Sequence, residues 1–181
     1  PYTVDTGTFR SIPQGDPELL AMRKRWRIPE NVYLIGNFHR DTSGKDLESP
    51  KLVKGPDLFV EIVRRLSRLY PIHVLLAGPR RFWIRNKLEE ARVPYTFVGQ
   101  DIRDADDVLV NNLSLETLNI LYNLLDLYLV SSRSEGGPRT VLEAAATSCK
   151  VVSTPVGLAM DVLKPDCVYA SPVEGIDLIA R

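Results

Sequence analysis

The stretch GPDLFVEIVRRLSRLYPIHVLLAG, residues 55–78, joins a helical pattern to a strand pattern. Over residues 55–70, apolar side chains recur at helical spacing and charged ones fall on the opposite face. Pro56 suits the first position of a helix. Residues 72–78 form a continuous apolar run that ends at a glycine, which is typical of a strand buried on both faces. The stretch therefore predicts a helix that leads into a buried strand.

The same alternation fills the rest of the chain. Strands are predicted at residues 31–38, 72–78, 95–99, 126–132, 150–153 and 167–170. Helices are predicted at residues 16–26, 55–70, 81–93, 113–125 and 138–147, after residue 157, and from residue 173, with Asp16 as the N-cap of the first. Strands that alternate with helices imply a parallel sheet covered on both faces. We predict an α/β fold with a doubly wound, Rossmann-like parallel sheet of about six strands.

The composition is that of a globular protein. The 181 residues are 44% hydrophobic and 25% charged, with 23 basic and 23 acidic side chains. This balance lacks the basic excess of a nucleic-acid binder. No apolar run approaches the ~20 residues of a membrane helix, and the first residues do not form a signal peptide. We expect a cytoplasmic chain cut from a larger protein.

Few residues suggest metal, disulfide or hydrolytic chemistry. Cys149 and Cys167 form no disulfide framework or zinc pattern, and we interpret both as small buried residues. His73 falls inside a predicted strand and is interpreted as a core residue. The motifs GxxxxGK(S/T), GxGxxG after a strand, HExxH and GxSxG are absent.

The connections that follow the strands are the candidate site, because doubly wound folds bind ligands outside the carboxyl ends of their strands. The connection at residues 36–57 is long and carries His39, Arg40, Lys45, Lys51 and Lys54. It is either a phosphate clamp or a solvated, mobile loop. The connection at residues 99–112 is either one wall of a nucleobase pocket or an irregular link.

The stretch EGGPRTVLE, residues 135–143, places two glutamates around a helix start. Gly136 and Gly137 would leave helical amides open to an anion. Glu135 beside them suits hydroxyl groups, because a carboxylate accepts hydrogen bonds. Glu143 follows eight residues later, within roughly 12 Å along a helix, and would suit ribose hydroxyls. The alternative for Glu143 is a solvent-facing helix residue.

Taken together, these segments resemble the C-terminal, donor-binding domain of retaining glycosyltransferases of the GT-B fold, family 4 type, with Glu135 and Glu143 as the Glu-x7-Glu signature. VLLAGP and FVGQ are similar to the family's second and third strand ends, and TVDTGTFRSIP to the segment after its N-terminal domain. STPVGLAMDVL departs from the family pattern at Leu158 and Asp161. The resemblance implies one half of a GT-B fold, with residues 1–30 as interdomain linker and leading helix and residues 31–181 as the nucleotide-sugar-binding domain.

The resemblance also implies site roles, for a hexosyl transfer that needs neither metal nor cofactor. A Lys and an Arg would hold the donor diphosphate, and Asn37 occupies the family's Arg position, so Arg40 is the expected substitute. The expected catalytic residues are Glu135, Lys54 and Arg40. The expected donor-binding residues are Gly36, Asn37, Arg40, Lys54, Gly78, Gly99, Gln100, Asp101, Ile102, Glu135, Gly136, Gly137, Pro138, Arg139 and Glu143.

The expected partners are a nucleotide sugar and an acceptor, either a glycan or a lipid-linked one, held by an N-terminal domain that this chain lacks. Contact with the inner face of the membrane would come through that other half, and no nucleic acid is expected. Two alternatives stay open, the first of which would use the same glutamates and Lys54, while the second would need catalytic acids and a histidine that the matched positions lack. One is a non-catalytic nucleotide-binding module, and the other is a nucleotide-sugar 2-epimerase-like domain.

Overall fold

The computed structural model describes residues 3–44 and 46–181. Lys45, one of the predicted loop cations, lies outside the described residues, as do Pro1 and Tyr2. Five strands form one parallel sheet: β1 (Tyr33–Asn37), β2 (Ile72–Ala77), β3 (Tyr95–Val98), β4 (Leu127–Val130) and β5 (Lys150–Ser153). Their order is β3-β2-β1-β4-β5.

Seven α-helices connect or flank these strands within the described ranges: α1 (Pro17–Arg25), α2 (Pro56–Leu66), α3 (Phe82–Ala91), α4 (Leu115–Leu124), α5 (Arg139–Ala146), α6 (Ala159–Val162) and α7 (Pro172–Ala180). Short 3-10 turns cover Leu52–Lys54 and Pro165–Cys167. As predicted, Asp16 caps α1, and its carboxylate accepts a hydrogen bond from the Glu18 amide over 2.8 Å.

Two apolar layers sandwich the sheet. Leu34 and Ile35, adjacent on β1, are fully buried on opposite faces. One layer packs beneath α2, α3 and α7, and the other beneath α1, α4 and α5. Burial on both faces explains why the strands are continuous apolar runs. The prediction of a doubly wound α/β fold is confirmed.

The predicted strand at residues 167–170 is the main difference in the sheet. Pro165 starts a 3-10 turn there, and Val168 alone pairs with Ser153 in an isolated parallel bridge. Tyr169 is nevertheless buried, and its hydroxyl donates to the carbonyl of Val130 over 2.9 Å. The segment therefore lies where a sixth strand would, but it pairs through one residue.

The chain before α1 is fastened to α4. The side-chain oxygen of Asn123 accepts from the Ile12 amide over 2.7 Å, and its NH₂ donates to the Arg10 carbonyl over 2.9 Å. Asn119 accepts from the Arg10 amide over 3.0 Å. Phe9 is buried in the same region. Two carboxamides thus replace the strand partner that this segment lacks.

The sequence analysis predicts that Cys149, Cys167 and His73 are buried. Cys149 and Cys167 are free thiols and only half-buried, which differs from the prediction of full burial. The burial of the Cys149 thiol still raises its pKa to about 12. His73 is a buried core residue, as predicted, and its ring lies 2.9 Å from the Thr96 hydroxyl.

Candidate functional site

The candidate site lies at the carboxyl ends of β1 and β4, the central strand pair of the sheet. From β1 the chain continues toward β2 on one side, and from β4 toward β5 on the other. Such a reversal opens a crevice beyond the strand ends of doubly wound sheets. The connections after β1 and β4 carry most of the predicted site residues.

Lys54 and Glu135 meet in this crevice. The Nζ atom of Lys54 lies 2.5 Å from Oε1 of Glu135, and the Ser132 hydroxyl donates to the same oxygen over 2.8 Å. Their side chains are 25% and 12% exposed, so a ligand can still reach both. Burial opposes the charge of Glu135, but hydrogen bonds from Lys54 and Ser132 outweigh it and lower its pKa. Glu135 is therefore an ionised acceptor.

The 3-10 turn that ends at Lys54 is held against the end of β4. Gly55 has a left-handed φ of 59°, and a Cβ atom there would lie 1.8 Å from the Ser131 carbonyl oxygen. Arg133, beyond β4, donates to both carboxylate oxygens of Asp57 over 2.7 and 2.5 Å. These contacts tie the two connections together and set Lys54 beside Glu135.

The glycine loop leads from Glu135 into α5. Gly136 is exposed and Pro138 is buried just before the helix. Within the described part of the chain, no side chain caps the first turn of α5, so its first amides have no side-chain acceptor. Gly157 packs closely against this loop, since a Cβ atom at that position would lie 2.8 Å from the Glu135 carbonyl oxygen. The loop and the helix start can therefore accept an anion.

Glu143 lies inside α5 and is 7% exposed, which excludes the alternative of a solvent-facing residue. The Tyr122 hydroxyl donates to its Oε2 atom over 3.2 Å. Arg139, one turn earlier and exposed, has its Nε atom 3.9 Å from Oε1. Burial raises the pKa of Glu143. One carboxylate oxygen is thus fixed by tyrosine, and among residues 3–44 and 46–181 the other has only a long contact with arginine.

His39 lies between β1 and α5. Its Nε2 atom is 2.9 Å from the Thr140 hydroxyl. Within residues 3–44 and 46–181, its buried Nδ1 atom has no hydrogen-bond partner. Burial lowers the pKa of His39 to about 4; Glu135 opposes this shift, and Lys54 favours it. The imidazole is therefore neutral at physiological pH and contributes polarity without charge.

Gly36 and Asn37, at the end of β1, are both buried and serve the fold. A Cβ atom on Gly36 would lie 2.3 Å from a methyl group of Leu125. The NH₂ group of Asn37 donates to the Leu129 carbonyl over 2.9 Å, and its oxygen accepts from Nη2 of Arg81 over 2.8 Å. Asn37 thus holds β1, β4 and the start of α3 together.

Arg40, predicted as the second cation of the site, is exposed. It helps, after Arg80, to lower the pKa of the Asp106 carboxyl. Within the part of the chain that the structure describes, it makes no hydrogen bond or ion pair with Lys54 or Glu135. The sequence analysis did not identify Arg81 as a site residue, because the stretch AGPRR predicts only a turn. That turn is present, and Gly78 adopts the positive φ of 84° that it needs.

The connection after β3 is held by one carboxamide. Asn111 accepts from the Gln100 amide over 2.7 Å and donates to the Gln100 carbonyl over 3.0 Å. A Cβ atom on Gly99 would lie 2.6 Å from the same side-chain oxygen. Asp101 pairs with Arg85 and Arg103. The backbone at Gln100 is therefore occupied internally, and Ile102 donates its own amide back to the Gln100 carbonyl over 2.9 Å.

Residues 3–44 and 46–181 hold neither a candidate metal cluster nor a membrane-spanning helix. No group of three or more His, Cys, Asp and Glu side chains there has a geometry that could hold a metal ion. No helix in that part of the chain is long and apolar enough to cross a membrane.

The fold and the crevice define a Rossmann-like half of the GT-B type. Residues 47–176, more than half of the chain, match the family described as glycosyl transferases group 1. The chain therefore belongs to the glycosyl transferase group 1 family. No curated protein sequence matches it significantly.

Solved structures show the same fold at low sequence identity. The C-terminal domain of LpcC, a glycosyl transferase group 1 family protein from Francisella tularensis, is 20% identical with a TM-score of 0.69, over 98% of this chain and 86% of that one. HepE from Anabaena, solved with UDP-glucose, is 16% identical with a TM-score of 0.72, over 98% of this chain and 45% of HepE. Sucrose-phosphate synthase from Thermosynechococcus elongatus is 16% identical with a TM-score of 0.70, over 98% and 41%. The chain thus spans less than half the length of the two longer proteins.

Proposed function

We propose that the chain is the donor-binding half of a retaining, metal-independent hexosyltransferase of the family 4 type, with Glu135 and Glu143 as its Glu-x7-Glu motif. The observation that carries the proposal is the contact between Lys54 and Glu135 at the ends of β1 and β4. It sets a cation suited to phosphate beside an ionised carboxylate suited to sugar hydroxyls. The ligand solved with HepE, UDP-glucose, has both groups.

The donor would lie along the crevice from Glu135 to Glu143. Lys54 and the open amides of α5 would neutralise the diphosphate, and Glu135 would accept hydroxyl groups of the sugar. The remaining oxygen of Glu143 would accept from the ribose, and the base would lie against residues 99–103. As the bond between the sugar and the diphosphate breaks, negative charge grows on the departing diphosphate. Fixed positive groups beside it would stabilise this transition state without a metal.

The acceptor would belong to a part of the protein beyond these residues. Because HepE and sucrose-phosphate synthase are more than twice as long, we propose that a second domain supplies the acceptor site and closes the crevice. The acceptor would be a glycan or a lipid-linked sugar on the cytoplasmic side of the membrane, and any membrane contact would come through that domain. We propose that no further cofactor and no nucleic acid take part.

Thermal shift measurements test donor binding directly. We expect UDP-glucose, GDP-mannose or ADP-glucose, at millimolar concentration, to raise the melting temperature of the purified chain. Lys54→Ala should remove most of this shift, and Glu143→Gln should reduce it. Lys24→Ala, on the exposed face of α1, is the matched control and should behave like the wild type. If none of the three donors shifts the melting temperature, donor binding is refuted.

A transfer assay separates the two halves of the proposal. The chain should bind its donor yet transfer no sugar to added glycan acceptors, because the acceptor site lies elsewhere. Transfer by the 181-residue chain would contradict this division. Donor binding with no transfer by the full-length protein would instead favour a non-catalytic nucleotide-binding module.

A further inference from the structure

Arg81 is a charged side chain enclosed in the protein. It directly precedes α3, and its side chain is 0% exposed. A guanidinium keeps its charge in proteins, and burying such a charge costs free energy unless partners surround it. Natural proteins retain such a group where it serves the fold or the site, so its partners decide which.

The partners of Arg81 are incomplete. Among the described residues it forms one ion pair, with the buried Asp41, whose Oδ2 atom lies 3.6 Å from Nε, beyond hydrogen-bond distance. Within residues 3–44 and 46–181, Nε and Nη1 of Arg81 and Oδ2 of Asp41 have no hydrogen-bond partner. The other oxygen of Asp41 accepts from the Trp83 amide over 3.0 Å. The ion pair therefore leaves several buried polar atoms of both residues without hydrogen bonds, and it compensates the positive charge of Arg81 only in part.

The charge of Arg81 is directed toward the crevice. Its Nη2 atom donates to Asn37, and the same Asn37 oxygen lies 3.4 Å from the His39 amide nitrogen. His39 in turn is close enough to Lys54, Glu135 and Arg81 for all three charges to act on its imidazole. Asn37 and His39 thus connect the guanidinium to the surroundings of Lys54 and Glu135.

We propose that Arg81 is a positioning residue of the diphosphate site, where it supplies a second positive charge from beneath the end of β1 and orients Asn37 and His39. The inference rests on the proposed binding of a nucleoside diphosphate sugar. Arg81 acts through Asn37 and His39 and does not touch the ligand. Because a buried charge is poorly screened, its effect should persist at high salt, unlike that of the partly exposed Lys54.

Calorimetric titration can isolate the effect on the diphosphate. UDP, GDP and ADP are each compared with uridine, guanosine and adenosine, because the affinity ratio within a pair reports the diphosphate alone. We expect Arg81→Met to reduce this ratio about tenfold, with nucleoside affinity retained. Arg81→Lys, which keeps the charge, should restore it to within about threefold. Arg68→Met, at an exposed position on the turn after α2, is the matched control.

A second variant keeps the test decisive if Arg81→Met does not fold. Asp41→Asn removes the carboxylate that pairs with Arg81 and can still accept from the Trp83 amide. We expect it to increase the ratio several-fold, because the guanidinium then acts uncompensated on the diphosphate. A purely structural role for the pair would predict an unchanged or lower ratio.

The outcomes separate this inference from the proposed function. If folded Arg81→Met keeps the wild-type ratio, or loses nucleoside and diphosphate affinity equally, the role of Arg81 is overturned while donor binding stands. If Asp41→Asn fails to raise the ratio, the role is likewise overturned. If the wild type binds none of the three diphosphates, the proposed function fails and the inference fails with it.

Discussion

Position 55 allows only glycine. Its φ of 59° is in the left-handed region, and a Cβ atom would lie 1.8 Å from the backbone oxygen of Ser131. That oxygen belongs to the backbone directly after β4. The same glycine sets the direction of Lys54, so its conformation serves both the fold and the site.

Gly55→Ala should therefore destabilise the domain by about 3 kcal/mol or more, because backbone strain and a backbone clash act together. Chemical denaturation followed by circular dichroism measures the loss. Gly15→Ala is the matched control, since a Cβ atom at Gly15 would meet nothing within 4 Å. Equal stability of the two variants would contradict the geometry at Gly55.

The charged residues show how far single positions can be predicted. Lys54 and Glu135 each follow a predicted strand, and the family resemblance implied that they share one donor site. The strand order that brings them together is seen only in the structure. Arg40 and Arg81 also follow strands. Their residue type does not reveal that Arg40 is exposed and Arg81 is buried. The difference comes from contacts between the connection after β1 and the chain after β2, such as the Asp41 amide with the Arg80 carbonyl at 3.1 Å. Such long-range contacts leave no local pattern in the sequence.

At the scale of elements, the helices and central strands could be predicted because apolar periodicity and burial coincide in them. The segment at residues 167–170 could not, since Tyr169 is buried by packing while only Val168 pairs with the sheet. The contacts between α4 and the chain before α1 also escaped prediction. Asn119 and Asn123 lie four residues apart in a helix, which indicates one shared face but not what covers it.

Asn123→Ala should release the segment that precedes α1. The variant leaves the Ile12 amide and the Arg10 carbonyl without their partners, at a cost of about 1–3 kcal/mol. Hydrogen exchange should show faster exchange at Ile12, while amides in β1 and β2 keep their relative protection. Asn112→Ala, at an exposed position, is the control. Unchanged exchange at Ile12 would show that the carboxamide does not hold this segment.

For the molecule as a whole, two buried groups make stability depend on pH in opposite directions. Burial raises the pKa of Asp41 to about 6, so between pH 4 and 6 the folded chain binds a proton that the unfolded chain releases. Its contribution to the free energy of unfolding therefore falls as pH rises. Burial lowers the pKa of His39 to about 4, so its contribution rises between pH 4 and 6.5.

Asp41→Asn should separate the two contributions. The free energy of unfolding of the variant, relative to the wild type, should increase by about 2–3 kcal/mol as pH rises from 4 to 7, because only the wild type must ionise a buried carboxyl. Chemical denaturation at four pH values measures the difference. Asp177→Asn, at an exposed site, should remain parallel to the wild type. A variant curve parallel to that of the wild type would disprove the buried titration of Asp41.

The contact between Lys54 and Glu135 joins residues that are 81 positions apart in the chain. It can form only after β4 and the loop beyond it have been synthesised and have docked beside β1. If the proposed nucleotide sugar bridges these residues, it binds only chains in which the connections after β1 and β4 have docked together. Its concentration in the cell would then raise the fraction of finished, folded molecules by mass action. A donor of this kind would thus stabilise only those molecules whose fold is complete enough to bind it.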